Sequence, residues 1–277
     1  MVGIGDVADK PNQTERGSLP KPARWLLAAL VFVAMCPPAD AAEPTPDFVI
    51  KTKSIEASVI LDAKIKADPA LAENCLAEGK AWAVKKRAEA DKERKQEPGL
   101  FRNGPWTLER KYETRSVIEG RYVSIIRGDY EYTGGAHPNS SSDTILWDKS
   151  AAKRISIRPF FTETADNGPT LKAMQRGIVA SLKAEKKLRG AEGLDEGAIE
   201  GIEPKLLKIG PVSLAPSTEE GKSSGLTFHY SPYAVGSYAE GAYVGFVPWE
   251  NLKPYLTPEG TRIFGGARPK GDTDDQQ

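Results

Sequence analysis

Cysteine is almost absent, with two in 277 residues, and methionine (three) and histidine (two) are nearly as scarce. So few cysteines cannot build a disulfide framework. C-x-x-C, H-x-H and H-E-x-x-H do not occur, so the usual metal-ligand spacings are missing. No cofactor is expected. A charge excess of either sign is also lacking: 38 Lys+Arg stand against 38 Asp+Glu. Nucleic-acid binders usually carry a basic excess, so nucleic acid is not an expected partner. No apolar run approaches the about 20 residues of a spanning helix. What remains is ordinary for a globular chain, 39% hydrophobic and 27% charged, which excludes collagen, coiled coil and a polytopic membrane protein.

The longest apolar run, Trp25 to Cys36, is 12 residues. Lys21 and Arg24 precede it; Pro37, Pro38 and Ala39-Asp40-Ala41 follow. A basic flank, a short apolar core and a small-x-small exit make a signal peptide. Residues 1–41 are expected to be removed after Ala41, giving a periplasmic or secreted protein. Lipid attachment at Cys36 is the rival, and Met35 before it is poorly suited. Cleavage removes four basic and four acidic residues and leaves 236 that are still neutral, with Cys75 as their one cysteine. Stability must then come from a core, for which that length is ample, and Cys75 reads as a buried small apolar residue.

After a short lead (42–47), Phe48 to Asp62 alternates as one or two strands. Asp68-Pro69 opens a helix to about Gln96, with Leu71, Cys75, Glu78 and Trp82 on one stripe. Trp106–Ile118 and Arg121–Tyr132 alternate around Glu119-Gly120 and predict a hairpin. Thr144–Asp148 and Arg154–Ile157 read as short strands and Pro169–Arg189 as a second amphipathic helix. A long connection (190–225), strands at Leu226–Tyr230 and Tyr243–Val247 and a short helix from Pro248 to Tyr255 complete the pattern. Residues 257–277 read as a disordered tail. Strand runs around two helices predict an α+β fold, an antiparallel sheet packed with two main helices. The two sub-parts expected are about 48–148 and 153–256.

Three motifs have plain readings. Gly221-Lys-Ser223-Ser-Gly225 spells a nucleophile elbow, but loop precedes it and strand follows, the wrong order for that chemistry. Asp129 and Glu131 share one strand face, which fits either a glycosidase carboxylate pair or an exposed strand. His137 and His229 could meet over a metal with Asp129, Glu131 or Asp143, but their spacing does not demand it. The informative stretch is Tyr132-Thr-Gly134-Gly135-Ala136-His137-Pro138-Asn139. Its glycines permit positive φ and His137-Pro138 is an extended dipeptide. It lies between strands, so it is no phosphate cradle; it reads as a tight connection or as a ligand-facing loop.

YTGGAHPN, followed by FHYSPYAVGSYAEGAYVGFVPWENL with Phe228, Pro232, Tyr233 and Gly241, resembles the exported domain family typified by RsiV and PdaC, over about residues 47–256. RsiV is a lysozyme-sensing anti-sigma factor and PdaC a peptidoglycan deacetylase that carries the domain as an accessory. The spanning helix of the one and the metal-binding catalytic domain of the other have no counterpart here. The resemblance implies a compact α+β module in which the Gly-Gly loop and the Pro-Tyr segment share one sheet region. It also implies a non-catalytic binding role at the cell envelope, toward lysozyme-like proteins or peptidoglycan glycans. Tyr132, Gly134, Gly135, His137, Asn139, Tyr230, Tyr233 and Tyr238 are the candidate contacts. A cell-wall hydrolase or deacetylase using Asp129, Glu131 and His137 is the alternative, and a purely structural envelope protein the third.

Overall fold

Alternating polarity and helical periodicity become nine strands and six α-helices in a computed structural model that describes residues 45–191, 193 and 196–272. The expected signal peptide, with Cys36, lies outside the described residues. Among the described residues no helix is long and apolar enough to cross a membrane.

The first half is a six-stranded sheet of β1 (Phe48–Lys51), β2 (Ile55–Leu61), β3 (Trp106–Ile118), β4 (Tyr122–Tyr132), β5 (Asn139–Asp148) and β6 (Lys153–Ile155), in sequence order. Asp62 caps α1 (Ala63–Lys66), and Asp68 caps α2 (Pro69–Gln96) by accepting from Leu71 N at 3.2 Å. The fold is α+β, but the sheet is not purely antiparallel: β2 and β3 run parallel. The long helix α2 between them is the reason, since parallel neighbours need a crossover connection. The β3–β4 hairpin turns on Glu119 (φ 49°) and Gly120 (φ 63°), two positive dihedrals that match strand twist. The first sheet runs on through β6, past the boundary expected at Asp148.

The α2 face of the sheet is apolar near one end and ionic at the other. Val123 and Ile125 join Val59, Leu61, Tyr112, Ile145 and Trp147 under Leu71 and Cys75. The expected helix stripe is corrected in its second half, where Gly79, Ala83 and Ala90 are the buried positions. Small residues there let the helix approach the sheet, and Glu78 instead meets Arg127 and Arg154.

The second half holds α3 (Pro169–Leu188), α4 (Glu196–Gly201) and a three-stranded antiparallel sheet of β7 (Val212–Leu214), β8 (Gly225–Tyr230) and β9 (Tyr243–Pro248). Met174, Ile178 and Leu182 of α3 share a core with Phe228, Tyr243 and Val247, and with Ile118, Tyr122 and Leu146 of the first sheet. Ser116 Oγ donates to Leu214 O (2.7 Å) and Ser124 Oγ accepts from Leu214 N (2.9 Å), so buried hydroxyls stitch the halves together. After α5 (Trp249–Leu252) the chain does not trail off as expected: Thr257 caps α6 (Pro258–Ile263), and Phe264 packs edge-on against Phe160. Arg115 pairs with Asp272 at 2.6 Å. A Gly/Pro-rich composition hid two buried apolar anchors, Ile263 and Phe264; residues 273–277 lie outside the described residues.

Candidate functional site

The sheet face turned away from α2 is only half covered. On β4 this face carries Tyr122, Ser124, Ile126, Gly128 and Tyr130, because side chains alternate. Its first two residues lie under the second half. A register shift between Thr114 and Ser116 of β3 marks the boundary. One extra residue reverses which side chains share a face. Ser116 and Ile118 therefore meet the second half, while Glu109, Lys111 and Glu113 share the uncovered part of that same face.

That uncovered part is the floor of an open groove of about 460 Å³, walled by Glu109, Lys111, Glu113, Tyr130, Ser140, Ser142 and Pro232. A second cavity of about 420 Å³ shares Glu109 and Tyr130 and continues to Val49 and Lys51 on β1. The two form one trough across the strands. Tyr130 is 40% exposed in it. Lys111 Nζ lies 2.9 Å from Glu109. Burial holds the Glu113 carboxyl above its ordinary value, with Lys111 opposing and Asp62 and Glu109 adding.

One end of the trough carries an aromatic rim. The stretch from Thr133 to Pro138 leaves β4, and the stretch from Ser231 to Gly241 leaves β8. His137 and Tyr238 stack, ring centres 4.0 Å apart and planes at 25°. Tyr233 follows at 5.5 Å from Tyr238. Tyr238 Oη donates to Pro138 O (2.7 Å), and Ser142 N donates to Ser231 Oγ (2.9 Å), which ties rim to floor. The Glu240 carboxylate braces the rim by accepting from Lys186 Nζ, Tyr243 Oη and Ser237 N. Those bonds, led by the one from Lys186, hold its carboxyl down to about 2. Tyr233 itself sits at φ 71° and is 63% exposed. A bulky residue held in the left-handed region costs energy and points to a functional constraint.

The expected contacts therefore divide. His137, Tyr233 and Tyr238 come together. Asn139 is exposed at the start of β5, and Tyr132 is half-buried opposite Thr107. Gly134 has φ 86° and Gly135 does not enter the left-handed region. Tyr230 is not a contact: it is 7% exposed and donates to Ile209 O at 2.7 Å. The period of β8 could not reveal this, because every residue of that strand is buried. Trough residues Glu109, Lys111, Glu113, Tyr130, Ser140 and Ser142 escaped notice because an alternating strand does not say which face stays open.

Asp129 and Glu131 do share a face, and it is the α2 face. Asp129 accepts two bonds from Arg110, at 2.6 and 2.5 Å, beneath Trp82. Glu131 pairs with Lys86 at 2.8 Å. Neither reaches the rim that holds His137. His229 is buried on β8 with Nε2 2.9 Å from Ser213 Oγ. Burial first, then Arg115 and Arg268, push its pKa down to about 4. Ser223 of the elbow-like motif is fully buried and donates to Gly225 O. Cys75 is buried and free, its thiol pushed up to about 12 chiefly by desolvation.

The fold is similar to that of a solved member of the DUF3298 family from Bacteroides fragilis, with a TM-score of 0.50 and 18% identity over 78% of this chain and 95% of that one. A DUF3298 family protein from Pseudomonas aeruginosa matches at 16% identity over 78% of this chain and 90% of that one, with a TM-score of 0.48. No family model and no curated protein matches the chain. At 18% identity the Bacteroides fragilis match carries the architecture and nothing about a ligand.

Proposed function

From a fold shared with a DUF3298 family member, we propose that this chain is an exported, non-catalytic binding module of the bacterial cell envelope. It takes a peptidoglycan-type glycan strand into the trough, against the rim of His137, Tyr238 and Tyr233. The observation that carries this reading is Tyr233, an exposed aromatic ring held at positive φ beside an open groove. Flat aromatic faces and hydroxyls suit a sugar chain, which has apolar ring faces and polar edges. Ser140 and Ser142 supply hydroxyls in the wall. The motif resemblance to the RsiV/PdaC-like domains supports an envelope setting, and the Ala-x-Ala order of residues 39–41 supports export. The hydrolase alternative loses support because Asp129 and Glu131 are engaged by Arg110 and Lys86 on the far face.

The test titrates soluble peptidoglycan glycan fragments into wild type, Tyr233→Ala and His137→Ala, and follows reducing ends, muropeptides and free acetate in parallel. Wild type should bind without releasing product. Each variant should lose roughly tenfold in affinity or less, the scale of one side-chain contact of about 1 kcal/mol. Turnover by wild type that vanishes in His137→Ala would sink the reading. Binding to a lysozyme-like protein with no glycan affinity would overturn the glycan assignment. N-terminal sequencing of the exported protein should begin at or near Ala42; a lipid-modified Cys36 would overturn that assignment.

A further inference from the structure

We propose that the trough contains a subsite for a primary ammonium group, with the Glu113 carboxylate as its counter-ion. This deepens the groove reading above and rests on it.

The strands of the first sheet carry seven carboxylates, and six have a cation of the protein as partner. Glu56 pairs with Lys51, Glu109 with Lys111, Asp129 with Arg110, Glu131 with Lys86, Asp143 with Arg127 and Asp148 with Arg121. Glu113 is the seventh. Among the described residues its carboxylate makes no ion pair and no hydrogen bond, although the residue is half-buried. A carboxylate taken partly out of water without a partner destabilises the fold. It lies in the wall of the 460 Å³ groove.

The groove's charge bears this out. Lys111 is 2.9 Å from Glu109, and the three charged residues of this face, Glu109, Lys111 and Glu113, sum to one net negative charge on this stretch of β3. Across the floor lies Gly128, which pairs with Lys111 and has nothing within 4 Å of where a Cβ would stand. That space is open above the strand, beside Tyr130 and Ser142. A carboxylate and hydroxyls are what an ammonium with three N–H donors recognises. Two sources present this group: a glucosamine unit that lacks its acetyl group, and the side-chain amine of a lysine-type residue.

The experiment titrates three probes into the purified protein at neutral pH: a glucosamine tetramer, an N-acetylglucosamine tetramer and a lysine peptide with blocked ends. Wild type, Glu113→Gln and Tyr233→Ala are compared, with thermal midpoints recorded. Wild type should bind an amine probe about tenfold or more tightly than the acetylated tetramer, as expected for a charge-assisted contact. Glu113→Gln should erase that preference without lowering the thermal midpoint, since an uncompensated charge has gone. Preference shown only by the lysine peptide, with neither tetramer binding, supports the subsite and sinks the glycan reading. A preference that survives in Glu113→Gln overturns the subsite, as does equal binding of acetylated and free-amine probes or binding of no amine probe. Tyr233-dependent binding of both tetramers with equal affinity overturns the subsite and leaves the glycan reading standing.

Discussion

Two residues show how place decides what a side chain does. His137 and His229 have the same chemistry, yet one stacks in an exposed rim and the other is buried against Ser213. The His229 ring is kept neutral down to about pH 4. Above about 6.5, the ordinary histidine value, neither folded nor unfolded chain is charged there. Between 6.5 and 4 the unfolded chain takes up a proton that the folded one refuses, so stability falls with pH by up to about 1.4 kcal/mol per unit. Below 4 that loss levels off. Urea midpoints of wild type and His229→Gln, measured from neutral to acid pH, should diverge through this window, and parallel curves would contradict the burial argument. The loop glycines are a second case. Gly134 has φ 86°, and a Cβ on it would stand 3.0 Å from Leu100 O; Gly135 has ordinary φ and room. Gly134→Ala should cost about 1 kcal/mol or more in chemical denaturation and Gly135→Ala less than about 0.5.

At the scale of elements, α2 and the β2–β3 pair form one unit. The helix crosses between two parallel strands and seats a line of small residues on them. A Cβ at Gly79 would come 2.5 Å from Val59 Cγ1, a side chain that is 0% exposed and stiff at χ1. Replacing a helix glycine by alanine normally gains up to about 1 kcal/mol. Here the overpacking, of roughly 1–3 kcal/mol, outweighs it. Gly79→Ala should therefore lower the thermal midpoint, and a higher midpoint would show that the helix can lift off the sheet at little cost. The bulge in β3 works at the same scale. It turns Glu109, Lys111 and Glu113 toward solvent on the very face that Ser116 and Ile118 bury, so groove and core share one sheet.

At the scale of the molecule, the two halves are not independent. One core joins α3 and the second sheet to Ile118, Tyr122 and Leu146 of the first, and Leu214 bonds to serines on two of its strands. Calorimetry should give one transition whose calorimetric and van't Hoff enthalpies agree, as for cooperative domains. The midpoint should not move with reductant, because the one cysteine among the described residues is buried and unpaired. Two resolved transitions would mean that the shared core couples the halves too weakly to unfold them together.

Local order was legible in the sequence because it depends on neighbours along the chain. Asp68-Pro69 starts α2, Glu119-Gly120 turns the hairpin, and the alternation of 106–132 marks β3 and β4. The Gly-Gly loop and the Pro-Tyr segment also stood out, and His137, Tyr233 and Tyr238 do meet. What pairs with what was decided only in three dimensions. A strand's period of two names its two faces but not which one is covered, so Asp129 and Glu131 turned out to lie under α2, and the trough opened on residues that no motif marks. Tyr230 reads like Tyr233 in a string of letters; the strand that buries one and the turn that projects the other are set by packing between distant segments. The same holds for the parallel β2–β3 pair and for Ile263 and Phe264, whose burial depends on Phe160 and Phe161 about a hundred residues earlier.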